Sequence, residues 1–231
     1  MASPRERISE ILQTLPPEVR LVAVSKYHPV EMIQDAYDGG QRIFGESHVQ
    51  EMVQKYDLLP KDIQWHFIGH LQTNKVKYIA PFVSLIHAVD SERLLREIDK
   101  QAKKCGRIIP VLMQVHVAQE ETKFGFLPDE LLAFMQSGAW QQCENVSIEG
   151  LMCMATNTDD EVQIAREFDR ARELFESIQC SSLRSGADGT MVNGQWKTRS
   201  WGMSDDYPIA VQHGSNMVRI GSLIFGERVY V

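Results

Sequence analysis

RLVAVSKYHPVE, residues 20–31, holds an unbroken apolar run, Leu21-Val22-Ala23-Val24, that gives way almost at once to a lysine, Lys26. A short run without polar alternation suits a strand covered on both faces, as in a parallel sheet. His28-Pro29 ends the extended stretch, and Val30 to Ala36 begins a helical pattern with Pro29 near its first turn. Lys26 therefore sits at the carboxyl end of a strand. It is either a solvated loop residue or a side chain aimed into a site, and the rest of the chain has to decide.

The same alternation runs on. Strand patterns fall at 20–25, 42–45, 64–68, 83–89, 108–117, 147–154, 198–203 and 217–221, with helical patterns at 30–39, 47–57, 71–79, 91–105, 128–143, 159–178 and 205–212. An amphipathic helix over 4–14 precedes them, closed by Pro16-Pro17. Helix 91–105 opens on Asp90-Ser91, a good cap, and closes at Gly106. In 159–178, Val162, Ile164, Ala165, Phe168, Leu174, Phe175 and Ile178 make one apolar face.

Strands separated by helices imply parallel pairing with right-handed crossovers, and eight such units in a chain of this length close into a barrel. The expected fold is α/β: a single (β/α)8 TIM-type barrel domain over 1–231 with an extra N-terminal helix. An open doubly wound sheet would place a glycine-rich phosphate loop after the first strand, and VSKYHPVE has no glycine there. Residues 180–197, CSSLRSGADGTMVNGQWK, are polar and glycine-rich, and Asn193-Gly194 is a hairpin signal. This segment reads as a surface insertion before the seventh strand.

Composition narrows the function. A net charge of −7, a pI near 5.5 and no Lys/Arg run longer than a pair argue against a nucleic-acid surface. The start, MASPRERISE, lacks the apolar core of a secretory signal, and no stretch approaches the length of a membrane span. Cys105, Cys143, Cys153 and Cys180 are widely spaced without a CxxC pair, which suits free thiols in a reducing compartment. A cytoplasmic monomer without nucleic-acid or membrane partners is expected.

Barrel chemistry sits at the carboxyl ends of strands. Those positions read Lys26, Glu46-Ser47, Gly69-His70, Asp90, His116, Met154, Ser200 to Ser204, and Gly221-Ser222. Loops after the last two strands commonly hold a phosphate with backbone N–H groups and small hydroxyls. Ser200, Ser204, Gly221 and Ser222 are suitable donors, with Arg219 on the strand beside them. A lysine and a phosphate cradle together define a ligand with an anionic tail and a lysine-reactive carbonyl, and pyridoxal phosphate meets both requirements. His66 and His70, four apart in HFIGH, suggest a metal pair, but on a strand that spacing does not converge. His66 is read either as lining a cofactor pocket or as a buried structural histidine. Met152, Cys153 and Met154 read as barrel core, and Glu120, Glu121 and Lys123 as a solvated loop with an internal ion pair.

LVAVSK, FGESHVQE, WHFIGHLQTNKVK, IHAVDS, EETKFGF, GLMCMA, WGMSDDY and GSNMVRIGSLIFGER resemble, in order and spacing, the pyridoxal-phosphate homeostasis protein family (the YggS/PROSC family). The resemblance implies a barrel similar to the amino-terminal domain of alanine racemase, with the cofactor held as a Schiff base on the lysine of VSK, here Lys26. It leaves Arg219 as either a structural ion-pair partner or the residue facing the pyridine nitrogen. The cofactor-binding residues expected are Lys26, Ser47, His66, Ser200, Met203, Ser204, Arg219, Gly221 and Ser222, with no metal. The sequence departs from the family pattern at Ser47, where FGEN is usual, at His116, where an asparagine is frequent, at Asn216 in GSN, and in RSWGMS, where LSMGMS is common.

The function implied is to hold, buffer and deliver pyridoxal 5'-phosphate in vitamin B6 homeostasis, with apo-forms of enzymes that use it as partners and no efficient catalysis. The rivals are an amino-acid racemase or decarboxylase, and a metal-dependent barrel hydrolase that would need a ligand cluster. The racemase class resembled carries a second, β-rich domain. This chain, ending at Val231, is expected to lack it. Two-base racemisation needs acid–base groups on both faces, and Lys26 is the candidate that stands out.

Overall fold

The computed structural model describes residues 2–118, 124–181 and 196–226. Among them β1 (Arg20–Val24), β2 (Ile43–Glu46), β3 (Gln64–Phe67), β4 (Leu85–Val89), β5 (Ile109–Gln114), β6 (Val146–Met152), β7 (Thr198–Ser200) and β8 (Met217–Ile220) pair in parallel in sequence order. β8 pairs back onto β1, from Arg20 opposite Met217 to Ala23 opposite Ile220, so the sheet closes into a barrel. The expected (β/α)8 architecture is the one observed.

Helices α1 (Pro4–Thr14), α2 (Val30–Asp38), α3 (Val49–Leu58), α4 (Val76–Ile79), α5 (Glu92–Lys104), α6 (Pro128–Ser137), α7 (Glu161–Ser181), α8 (Tyr207–Gln212) and α9 (Ser222–Phe225) occupy the connections and the amino end. Their ends follow local chemistry. Ser3 and Glu6 form a capping box on α1, which stops before Pro16 because the residue ahead of a proline avoids the helical region. The Ser91 hydroxyl accepts the Leu94 N–H at 3.3 Å, and Gly106 with φ 63° follows α5.

Several elements differ from the sequence reading. The pattern over 128–143 breaks at Gly138, whose φ of 70° ends α6, and Ala139–Gln142 continues as a 3-10 turn. The stretch 71–79 is a 3-10 turn, Thr73–Lys75, followed by the single turn of α4. Val162 lies outside the buried face of α7, at 58% exposure, whereas Ile164, Phe168, Leu174, Phe175 and Ile178 are buried. β7 stops at Ser200, and Gly202, with φ 95°, takes the chain out of extended conformation two residues later. α9 has no counterpart in the sequence reading. Most of the 180–197 insertion, including Asn193-Gly194, and the Glu120, Glu121 and Lys123 loop fall outside the described residues.

Side chains alternate between two cores. Phe44, Trp65, Phe67, Ile86 and Val111 pack outward against the helices. Val22, Leu85, Ala88, Leu112, Met152 and Met217 fill the barrel interior. Among the described residues, His66, His87, Ser200 and Arg219 run as a polar chain through that interior. His87 on β4 lies 3.0 Å from Ser200 on β7 and 3.0 Å from His66 on β3, and Arg219 on β8 donates to the Ser200 hydroxyl at 2.8 Å. β4 and β7 are not neighbours, so this chain of contacts crosses the barrel. It carries the interior up to the floor of the site.

Candidate functional site

Above that polar layer, at the carboxyl ends of the strands, lies a cavity of about 540 Å³, within the usual size for a small-ligand site. Lys26 follows β1, Ser47 follows β2, Met203 and Ser204 follow β7, and Gly221 and Ser222 follow β8. All six line the cavity, with Arg219. Met154, a strand-end position in the sequence reading, also lines it, as do His28, Ile68 and Asp205, which that reading had not placed there. Met154 was read as core. It is half-buried: it packs against the interior cluster and, two residues past the end of β6, also faces the cavity.

Two expected residues lie beneath the cavity. Ser200 is fully buried, with its hydroxyl between Arg219 and His87, and His66 lies deeper, against His87. Arg219 can only donate, so Ser200 Oγ accepts from it, and the Ser200 O–H is then able to donate to His87 Nδ1, with His87 Nε2–H donating to His66 Nδ1 in that tautomer. Burial lowers both histidines from their ordinary value, His66 to about 3, so both are neutral. His66 and His70 do not converge: His70 stands on the rim, 3.0 Å from an Asp90 oxygen and stacked on Phe124 at 3.9 Å.

Arg219 is held rigidly. It donates to the Ser200 carbonyl at 2.6 Å, to the Ser200 hydroxyl, and to the Cys153 carbonyl at 2.9 Å. Burial lowers its pKa from the ordinary arginine value, with Asp206 opposing that shift, and the guanidinium remains charged. Burial in turn raises the Asp206 carboxyl, although it accepts the Met203 N–H. The result is a fixed positive charge at the cavity floor.

Two glycines shape the walls. A Cβ on Gly69 would stand 2.4 Å from the Ser47 carbonyl oxygen, so the loop after β3 can lie on Ser47 only without a side chain. A Cβ on Gly221 would approach the Val24 carbonyl oxygen to 3.1 Å, where β8 meets β1. The Gly221 N–H donates to the Ser204 hydroxyl at 3.3 Å, which leaves the Ser204 hydrogen for a ligand. The first N–H groups of α9 have no intrahelical acceptor.

A family model for the alanine racemase N-terminal domain matches residues 2–229. The pyridoxal phosphate homeostasis protein of Aquifex aeolicus (strain VF5) is 38% identical over 212 residues, 91% of this chain and 88% of its own. The chain belongs to the pyridoxal phosphate homeostasis protein family. PipY of Synechococcus elongatus PCC7942, solved with PLP bound, aligns with a TM-score of 0.85 at 33% identity, covering 97% of this chain and 100% of PipY. The same protein without PLP gives a TM-score of 0.88 at 34% identity. An alanine racemase of Clostridium difficile 630 has the same fold, at 16% identity and a TM-score of 0.74, over 97% of this chain and 56% of the racemase.

The donor set of the cavity fits the group that names the family. A lysine amine suits its aldehyde, serine hydroxyls and the N–H groups of the loop after β8 suit its phosphate, and the cavity also presents a fixed guanidinium. Among the described residues no group of three or more His, Cys, Asp or Glu side chains is arranged to hold a metal ion.

Proposed function

We propose that this protein binds pyridoxal 5'-phosphate, holds it as a Schiff base on Lys26, and buffers and delivers it in the cytoplasm to apo-forms of the enzymes that need it. The observation that carries this reading is the gathering of the Lys26, Arg219, Ser204 and Ser222 side chains around one cavity. When bound, the cofactor supplies an aldehyde that condenses with a lysine amine, the carbonyl oxygen leaving as water. Ser204, Ser222 and the Gly221 loop hold the phosphate, while Ser47 and Met203 wall the cavity. Arg219, assigned to the ring nitrogen, disfavours protonation there and so weakens the ring as an electron sink. Ser200 and His66 act on the site through Arg219 and His87 rather than by contact. Among the described residues no helix is long and apolar enough to cross a membrane.

Purified protein should be yellow, and the loaded form should reactivate an apo-transaminase faster than its free cofactor content allows. Common amino acids incubated with it should show no substantial racemisation or decarboxylation. Turnover above roughly 1 s⁻¹, within the ordinary enzyme range, would instead support the racemase-like alternative.

The phosphate assignment has its own test. Ser222→Ala removes a hydrogen bond to a charged group, worth about 1.5–3 kcal/mol, so retention of pyridoxal phosphate should fall by one to two orders of magnitude. Binding of pyridoxal, which lacks the phosphate, should not change. Equal affinity of the unaltered protein for both compounds would remove the cradle from the account.

A further inference from the structure

Lys26 is the second residue of a turn, Ser25 to His28, closed by the His28 N–H donating to the Ser25 carbonyl at 3.1 Å. The third residue, Tyr27, has φ 66°, a left-handed conformation that favours glycine or asparagine there. For a bulky aromatic it costs about 1–3 kcal/mol and persists only when its surroundings over-determine it. What over-determines it is a cluster of charges on β2 and α3, none of which lines the cofactor cavity. Lys55 Nζ donates to the Ser25 carbonyl at 2.7 Å, to Glu46 Oε1 at 2.8 Å and to Glu51 Oε1 at 2.7 Å. The Ser25 hydroxyl donates to Glu46 Oε1 at 2.6 Å, and the Tyr27 N–H donates to Glu51 Oε1 at 2.6 Å. Both neighbours of Lys26 are thus gripped by one network while its own side chain lines the cavity.

Stability alone does not explain the cluster. The Lys55 and Glu46 side chains are 6% and 0% exposed, and among the described residues Glu46 Oε2 has no hydrogen-bond partner. Desolvating such charges costs several kcal/mol, and apolar side chains of the same volume are often at least as stabilising. A network that fixes one backbone conformation has a different use. We propose that Glu46, Lys55 and Glu51 are positioning residues that hold the Ser25–His28 turn so that the Lys26 amine meets the cofactor aldehyde. This rests on the assignment of Lys26 as the attachment residue.

The test separates covalent capture from binding. Pyridoxal phosphate is titrated into the unaltered protein, Lys55→Met and Glu51→Ala, and the fraction trapped by borohydride is measured. Non-covalent affinity is measured by equilibrium dialysis in a Lys26→Ala background, with and without each second substitution. Misplacing a reacting group by an ångström costs up to about a hundredfold, so the covalent equilibrium should fall roughly tenfold to a hundredfold in both variants. In the Lys26→Ala background the same substitutions should change affinity by less than about twofold. Wild-type trapping in the variants overturns the proposal, and so does an equal loss in both backgrounds, which would make the cluster a general support of the cavity. Should Lys55→Met fail to fold, Glu51→Ala, on the first turn of α3, carries the same expectation through the Tyr27 amide. An adduct mapped to a lysine other than Lys26 in the unaltered protein sinks the attachment assignment instead. An adduct on Lys26 with unaffected variants sinks only the positioning role.

Discussion

Lys26→Ala is expected to abolish covalent attachment of pyridoxal phosphate outright: no yellow colour, and no borohydride-stable adduct on any peptide. The cavity keeps Arg219, Ser204, Ser222 and the Gly221 loop, so a weak, dialysable association through phosphate and ring should survive. Mass mapping of the reduced wild-type protein decides the matter. An adduct on Lys75, in the 3-10 turn before α4, would place the chemistry outside this cavity.

The second large effect is on acid stability. His66 and His87 are fully buried in the barrel interior, and desolvation, with the positive charge of Arg20 adding to it, holds them below the ordinary histidine value, His66 from 6.5 to about 3. As pH falls below 6.5 the unfolded chain takes up protons at both positions and the native state does not. Stability is therefore lost toward acid, by up to about 1.4 kcal/mol per pH unit for each histidine. Glu46 works the other way. Burial raises it from 4.5 to about 7 despite Lys55, so between those values the native state holds a proton that the unfolded chain has released. Its contribution declines as pH rises through that window. Asp206, also raised by burial, has the same sign. Guanidinium unfolding between about pH 5 and 6.5 should show stability rising with pH in the unaltered protein, since two histidines outweigh Glu46. In His66→Gln/His87→Gln the slope should flatten or reverse. A double variant that keeps the original slope would show that these imidazoles do not govern the acid limb.

The legibility of these features follows their range in sequence. β1 was readable because four consecutive apolar residues end at a lysine and a proline, all local signals. The same holds for α1 and α5, whose caps lie within the segment they close. The break at Gly138 was missed because glycine inside an apolar periodicity is also tolerated in continuous helices, and only its left-handed φ distinguishes the cases. Strand-end position brought Lys26, Ser47, Met203, Ser204, Gly221 and Ser222 to one cavity, since a barrel carries strand ends to one face. The same logic cannot tell depth. Ser200 is the last residue of β7 and still points below the cavity floor, toward a histidine 113 positions away that no local pattern had singled out. The Glu46–Lys55–Glu51 cluster was equally invisible: Glu46 reads as one strand-end residue among several, and Lys55 and Glu51 read as ordinary helix charges, until the turn beside Lys26 is seen to rest on them.

The seam of the barrel has a consequence for biosynthesis. Lys26 follows the first strand, while Arg219, Gly221 and Ser222 belong to the last strand and the turn beyond it, and the two strands are joined through four residue pairs. β7 and β8 share only one, Ser200 with Met217. A ribosome-bound chain that has not yet released β8 lacks both the strand that closes the ring and the Arg219, Gly221 and Ser222 wall of the cavity. Because a ligand stabilises only the state that binds it, a ligand that bridges these two ends of the chain is expected to reinforce the junction that closes the ring.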